Sequence, residues 1–162
     1  MNSLKNNWAP IILIISLFVI SIALIAEHIY FLIPCKMCLY ERYTYYALIT
    51  ISLIFIFSKN QNNIIFYFLV EIFLLIGVIL SLWHLGIENH IISGPQGCSA
   101  TIENINSKED LENFILNRPI VSCDEINWRF LGISIVIYNS LLQIVLLILN
   151  SIYLIKFNEY KK

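Results

Sequence analysis

Four long apolar stretches divide the chain, each close to the roughly 20 residues that carry a helix across a bilayer. They run from about Pro10 to Phe31, Tyr43 to Ser58, Ile64 to Trp83 and Leu131 to Ile155. In the first, Ile11 to Ala26 holds no charge, and Pro10 suits the first turn of a helix. The second is short, so its ends should draw on Tyr40, Arg42 and Ser58 at the membrane interfaces. Lys59 to Asn63 is a tight polar turn, which makes the second and third stretches antiparallel neighbours. The remaining polar segments are unequal: a short one over about 32–42 and a long one over about 84–130. The pattern predicts an all-α membrane protein, a four-transmembrane-helix bundle with two extracytoplasmic cysteine loops. Four crossings place both termini and the tight turn on one side and the two loops on the other. Inside the long loop, Ser107 is placed to cap a short helix in which Leu111, Phe114 and Ile115 share a face and Pro119 ends the run. That helix either packs on its own loop or lies on the membrane surface.

Composition agrees with this pattern. Of 162 residues, 59% are hydrophobic and 13% charged, against about 45–50% and about 25% in a soluble domain. The length fits one integral membrane domain over residues 1–162. The first stretch is too long for the apolar core of a signal peptide, and only Lys5 precedes it, so it reads as a retained helix. A net charge of −1 and the lack of a basic patch exclude a nucleic-acid partner. Lys5, Lys59, Lys156, Lys161 and Lys162 fall on the terminal side; Lys36, Arg42, Lys108, Arg118 and Arg129 fall in the cysteine loops. The counts tie, but the first set occupies about a third as much chain, which favours cytoplasmic termini. Disulfides persist on the oxidising side of a membrane, which favours a periplasmic space for both loops.

Polar residues inside the apolar stretches need a reason to be there. Asn139, Gln143 and Asn150 lie within about 40° of one another on a helix of 100° per residue. Such a stripe should face the bundle and hydrogen-bond between helices. Glu71 is costly in a span; it is a proton-pathway candidate, a neutral carboxyl or a side chain reaching water. His28 sits at the outer end of the first stretch, and His84 and His90 follow the third. They are interfacial polar residues, neighbours of a bound cofactor, or ligands of a haem or metal.

The four cysteines carry the candidate chemistry. Cys35 and Cys38 form a Cys-Lys-Met-Cys motif at the outlet of the first stretch, and Cys98 and Cys123 lie in the long loop. Thiols in a CxxC pair can cycle between dithiol and disulfide, and a second pair on the same side suggests a thiol–disulfide relay. Structural zinc needs two closely spaced ligand pairs; here one pair is close and no Cys or His separates Cys98 from Cys123, so no metal is expected. Pro34 biases the turn before Cys35, and Arg42 falls one helical turn past Cys38. A nearby cation and a helix N-terminus both favour thiolate, the form that attacks disulfides or donates electrons. Arg42 also reads as an interfacial anchor. The chain has no haem-attachment CxxCH, nucleotide fingerprint or iron–sulfur cysteine set. A lipid-soluble quinone is then the simplest electron acceptor, in a pocket near Cys38 and Arg42.

These residues together resemble the DsbB family, membrane quinone reductases that reoxidise DsbA-type thiol oxidases. Pro34-Cys35-Lys36-Met37-Cys38-Leu39-Tyr40-Glu41-Arg42 fits the family's Pro-Cys-x-x-Cys-x-x-x-Arg pattern. Cys123-Asp124-Glu125, followed by Trp128-Arg129-Phe130-Leu131-Gly132, resembles its approach to the fourth helix. The order of the cysteine pairs argues against the related vitamin-K-epoxide-reductase family, which places its CxxC after the loop pair. Gly86 to Cys98 is a shorter approach than in the best-known members, a compact-loop subgroup in which His90 is the match offered for a family histidine near the quinone. The resemblance implies a bacterial inner-membrane enzyme whose partner is a periplasmic DsbA-like thioredoxin-fold oxidase. It implies that the partner attacks Cys98, that Cys123 then exchanges with Cys35, and that Cys38, assisted by Arg42, passes electrons to bound ubiquinone or menaquinone. The rivals are a non-catalytic tetraspan protein with structural loop disulfides, and a haem or metal electron carrier using His28 and His84.

Overall fold

The structure, a computed structural model, describes residues 7–59, 63–95, 98, 121–126 and 128–159. The helix expected between Ser107 and Pro119 lies outside these residues. Among the described residues four helices dominate: α1 Trp8–His28, α2 Lys36–Phe57, α3 Ile64–Glu88 and α4 Ile135–Glu159. A small antiparallel hairpin, β1 Arg129–Phe130 and β2 Ile133–Ser134, precedes α4. α1 packs on α2, α2 on α3 and α3 on α4. α1, α3 and α4 as far as Lys156 are long and apolar enough to cross a membrane. α2 has 22 residues but carries Lys36, Glu41 and Arg42 in its first two turns. The architecture is that of an all-α membrane protein.

The helices do not stop where the apolar stretches stop. α2 starts at Lys36, well before Tyr43, because Cys35 caps it with its sulfur and Pro34 keeps the preceding chain out of the helix. α3 runs past Trp83 to Glu88, since nothing from His84 to Glu88 breaks the helix strongly; the chain leaves it at His90, whose φ is 55°. α1 ends at His28, ahead of Phe31 with φ 54°. α4 begins at Ile135 because Leu131 and Gly132, with φ 50° and 83°, form the two-residue loop of the hairpin. Such loops demand positive φ at the central residues, which glycine supplies without strain.

Buried Trp8, Ile12, Leu48, Phe66, Leu74 and Leu146 join the four helices in one core. Ile14, Ile54, Ile79 and Ile148 point outward, as side chains facing lipid do. The stripe on α4 faces inward as its spacing predicts. Trp8 Nε1 donates to Asn150 Oδ1 at 2.8 Å, and Asn150 Nδ2 donates to Tyr67 O at 2.9 Å and Glu71 Oε2 at 2.6 Å. Ser151 Oγ also donates to Glu71, whose carboxylate is thereby partnered within the bundle. The Trp8 and Tyr153 rings, 4.6 Å apart, close α1 against α4 at this end.

Candidate functional site

At the opposite end the chain gathers its sulfur. Cys35, with φ −72° and ψ 168°, is the N-cap of α2, and its Sγ accepts from Cys38 N at 3.3 Å. The helix N-terminus thus directs an N–H and its positive dipole end at this sulfur. Cys38, one turn on, lies with its Sγ 2.8 Å from Cys35 Sγ. Both are free thiols, Cys35 buried and Cys38 half-buried. From α3, His84 brings Nε2 to 3.5 Å from Cys35 Sγ. The Cys35 thiol is held down to about 5, first by the hydrogen bond from Cys38 and then by His84, against the opposing effect of burial.

A chain of hydrogen bonds fixes His84. Its Nδ1 is 2.9 Å from Glu41 Oε1, and Asn139 Nδ2 donates to Glu41 Oε2 at 2.6 Å. Tyr45 Oη donates in turn to Asn139 Oδ1 at 2.6 Å. Three helices therefore lock one imidazole beside one sulfur, with Glu41 and His84 both buried. A buried carboxylate and imidazole persist only when paired in this way.

The second cysteine pair reaches the same place. Cys98 and Cys123 form a disulfide. Cys98 N donates to Pro95 O at 2.9 Å, and Cys123 N donates to Cys98 O at 2.6 Å. Ser122 Oγ donates to the same Cys98 carbonyl at 3.1 Å. Cys35, Met37, Ile87, Cys98 and Cys123 make one buried cluster, with Cys38 packed at its edge. Residues from two separate loops thus share a single apolar pocket around their sulfurs.

A cavity of about 440 Å³ opens beside Cys38. α1 and α4 form its sides, with Phe18, Ala23, Val136 and Leu142 among its apolar lining, and α2 its back. Cys35, Cys38, Glu41, Arg42 and His84 supply much of its polar edge. Arg42 lines it but does not touch the cysteines. Its guanidinium pairs with Glu27 of α1 and donates to Ala23 O at 3.3 Å. The side chain that stands beside the thiols is His84 instead.

Of the three histidines, His84 alone joins the site. His28 is exposed, with its Nδ1 3.0 Å from Leu24 O, and His90 is exposed after α3. Among the described residues, the grouping of metal-ligating side chains is Cys35, Cys38 and His84. The paired histidines of the haem reading are not brought together in that grouping. Sequence reasoning passed over Glu41, which the hydropathy pattern left in the polar segment before the second stretch; in the structure it lies in the second turn of α2, buried and paired.

The chain matches the family described as Disulfide bond formation protein DsbB over residues 5–153. It is also 36% identical, over 140 residues, to an uncharacterized protein of Rickettsia prowazekii (strain Madrid E). That similarity covers 85% of this chain and 81% of the relative.

Proposed function

The chain belongs to the DsbB family, and from that premise we propose that it is a membrane disulfide-generating oxidoreductase. It reoxidises a periplasmic DsbA-like thioredoxin-fold oxidase and delivers the electrons to ubiquinone or menaquinone. α2 crosses the bilayer with the other three helices of one integral domain. Both termini are then cytoplasmic, and both cysteine loops face the periplasm from the inner membrane. The observation that carries this reading is the gathering of all four cysteines into one cluster beside the cavity. A cavity of this volume falls within the range that takes a small-molecule head group.

On this reading the exchanges run from the loop pair to the CxxC pair. A partner thiolate attacks Cys98 and Cys123 leaves as thiolate; the partner's second thiolate resolves the mixed disulfide and frees Cys98. Cys123 then attacks Cys35 of the Cys35–Cys38 disulfide, and Cys38 leaves as thiolate. Cys98 attacks Cys123, which closes the loop disulfide and releases Cys35 as thiolate. The product has Cys98 and Cys123 joined and Cys35 and Cys38 free, the arrangement present in the structure. A low thiol pKa makes Cys35 a good leaving group. His84 holds a proton beside Cys35, while Glu41, Asn139 and Tyr45 keep the ring oriented. Two electrons and two protons leave the dithiol through Cys38 for the quinone in the cavity, and the Cys35–Cys38 disulfide re-forms. Arg42, aimed by Glu27, offers positive charge to the oxygen that gains electron density.

The test is anaerobic mixing of purified protein with quinone and a reduced thioredoxin-fold oxidase, following quinone absorbance. Quinone reduction should depend on the partner, and Cys35→Ser and Cys98→Ser should each stop it. Wild-type rates in both variants would remove the relay and leave the cysteines as structural staples.

A further inference from the structure

The sulfur pair and His84 also meet the requirements of a metal centre, which the relay does not use. We propose that Cys35, Cys38 and His84 bind one zinc ion whenever both cysteines are reduced, and that this complex arrests thiol oxidation. The regulatory half rests on the oxidoreductase reading above; the binding half does not.

The three ligand atoms lie within 4.8 Å of one another. Zinc takes cysteine sulfur at about 2.3 Å and histidine nitrogen at about 2.0–2.1 Å in a tetrahedral site. Ligand atoms that share one ion are therefore about 3.5 Å apart, and Cys35 Sγ lies 3.5 Å from His84 Nε2. The sulfurs, 2.8 Å apart, need only a small opening, which a turn of the half-buried Cys38 side chain provides. CxxC at a helix start is itself a zinc-binding spacing. Spacing along the chain does not reveal this set of ligands because the third comes from a different helix.

An independent observation points the same way. His84 Nδ1 faces Glu41 Oε1 at 2.9 Å, and Glu41 is itself held by Asn139. With Nδ1–H donated to that carboxylate, loss of the Nε2 proton turns a lone pair to the two sulfurs. A carboxylate behind a histidine is the arrangement that orients metal ligands and raises their basicity. Charge also fits: two thiolates neutralise a zinc dication, so the buried site gains no net charge from the three together. The fourth position opens on the cavity, which both sulfur side chains line.

Binding replaces the Cys38 S–H and the His84 Nε2–H by bonds to zinc, adds the Cys35 thiolate as third ligand and releases two protons; no electrons move. The disulfide form has no thiolate to offer, so the ion meets only the reduced protein. Sulfur lone pairs engaged by zinc cannot attack a disulfide or donate to an acceptor. Removal of the ion restores the dithiol unchanged.

The test uses full-length protein carrying Cys98→Ser and Cys123→Ser, so that Cys35 and Cys38 are its thiols. Zinc is titrated against a chromophoric chelator, and cobalt substitution reads sulfur ligation through its charge-transfer absorption. Reduced protein should bind one ion, and the same protein with Cys35 and Cys38 joined should bind none. His84→Gln should weaken binding by at least about 100-fold, and Glu41→Gln by about 10–100-fold. In reduced wild-type protein, one equivalent of zinc should protect Cys35 and Cys38, but not Cys98 and Cys123, from alkylation. Equal binding by the reduced and disulfide forms, or unchanged affinity in His84→Gln, would overturn the site. Neither measurement uses quinone or partner, so the site can fail while the oxidoreductase reading stands. Turnover unaffected by bound zinc would overturn the regulatory half alone.

Discussion

Cys35 is the sulfur on which the hydrogen bonds of the site converge. Its thiol is held near 5 rather than at an ordinary 9.0, mainly by the hydrogen bond from Cys38 and next by His84. The sign is set by which form is stabilised: the thiolate persists above about pH 5 and is lost by protonation as pH falls through that value. Ultraviolet thiolate absorbance of reduced, metal-free protein should therefore titrate with a midpoint near 5, and His84→Gln should move that midpoint upward. An unchanged midpoint would remove His84 from the electrostatics of the sulfur. The sequence made Cys35 and Cys38 legible because CxxC is a local pattern. It misassigned the activating cation to Arg42 because four-residue spacing suggested contact, whereas Arg42 turns to Glu27 and the true neighbour lies 49 positions away on α3. Long-range pairing of that kind leaves no trace in a single chain's spacing.

Elements were legible where the bilayer dictates them and illegible where side chains do. Apolar length located all four helices, but not their ends. Cys35 starts α2 by capping, and the positive φ of Leu131 and Gly132 delays α4; neither is a hydropathy signal. The inward stripe on α4 was legible from its angle, yet its effect on α3 was not. Gln143 is buried against Gly77, where an added Cβ would stand 2.7 Å from Gln143 Oε1. Small residues allow this close approach of two membrane helices. Gly77→Leu should cost about 1–3 kcal/mol by overpacking, read as earlier thermal unfolding in detergent. Gly77→Ala should cost less, because only the Gln143 amide has to move. At the other end, Glu71→Leu should leave one Asn150 N–H without its acceptor, with Ser151 kept by Leu147 O, and cost about 1–2 kcal/mol, while Glu71→Gln keeps an acceptor and should retain turnover. Loss of turnover in Glu71→Gln would restore the proton-pathway role that its hydrogen bonds make unnecessary.

At the scale of the whole molecule, the placement of α2 decides whether the relay can work. α1, α3 and α4 qualify as spans by length and apolarity, whereas α2 begins with three charged residues. Two of those charges are absorbed within the bundle, as Glu41 accepts from His84 and Asn139 and Arg42 pairs with Glu27, while Lys36 is exposed at the helix start. The rest of α2, from Tyr43 to Phe57, is uncharged. At 1.5 Å per residue a 22-residue helix is about 33 Å long, enough for a hydrocarbon core of about 30 Å. If α2 crosses, Lys59 beyond its C-terminus and the cysteine cluster at its N-terminus lie on opposite faces of the membrane. If α2 lies along one face, they lie on the same side. Replacing the native cysteines by serine and introducing either Lys59→Cys or Ser122→Cys separates the two cases. In intact cells an impermeant thiol reagent should label the Ser122→Cys protein and spare the Lys59→Cys protein until the membrane is permeabilised. Labelling of both from outside would deny α2 a crossing, and labelling of Lys59→Cys alone would turn the protein over and put the cysteine cluster in the reducing compartment.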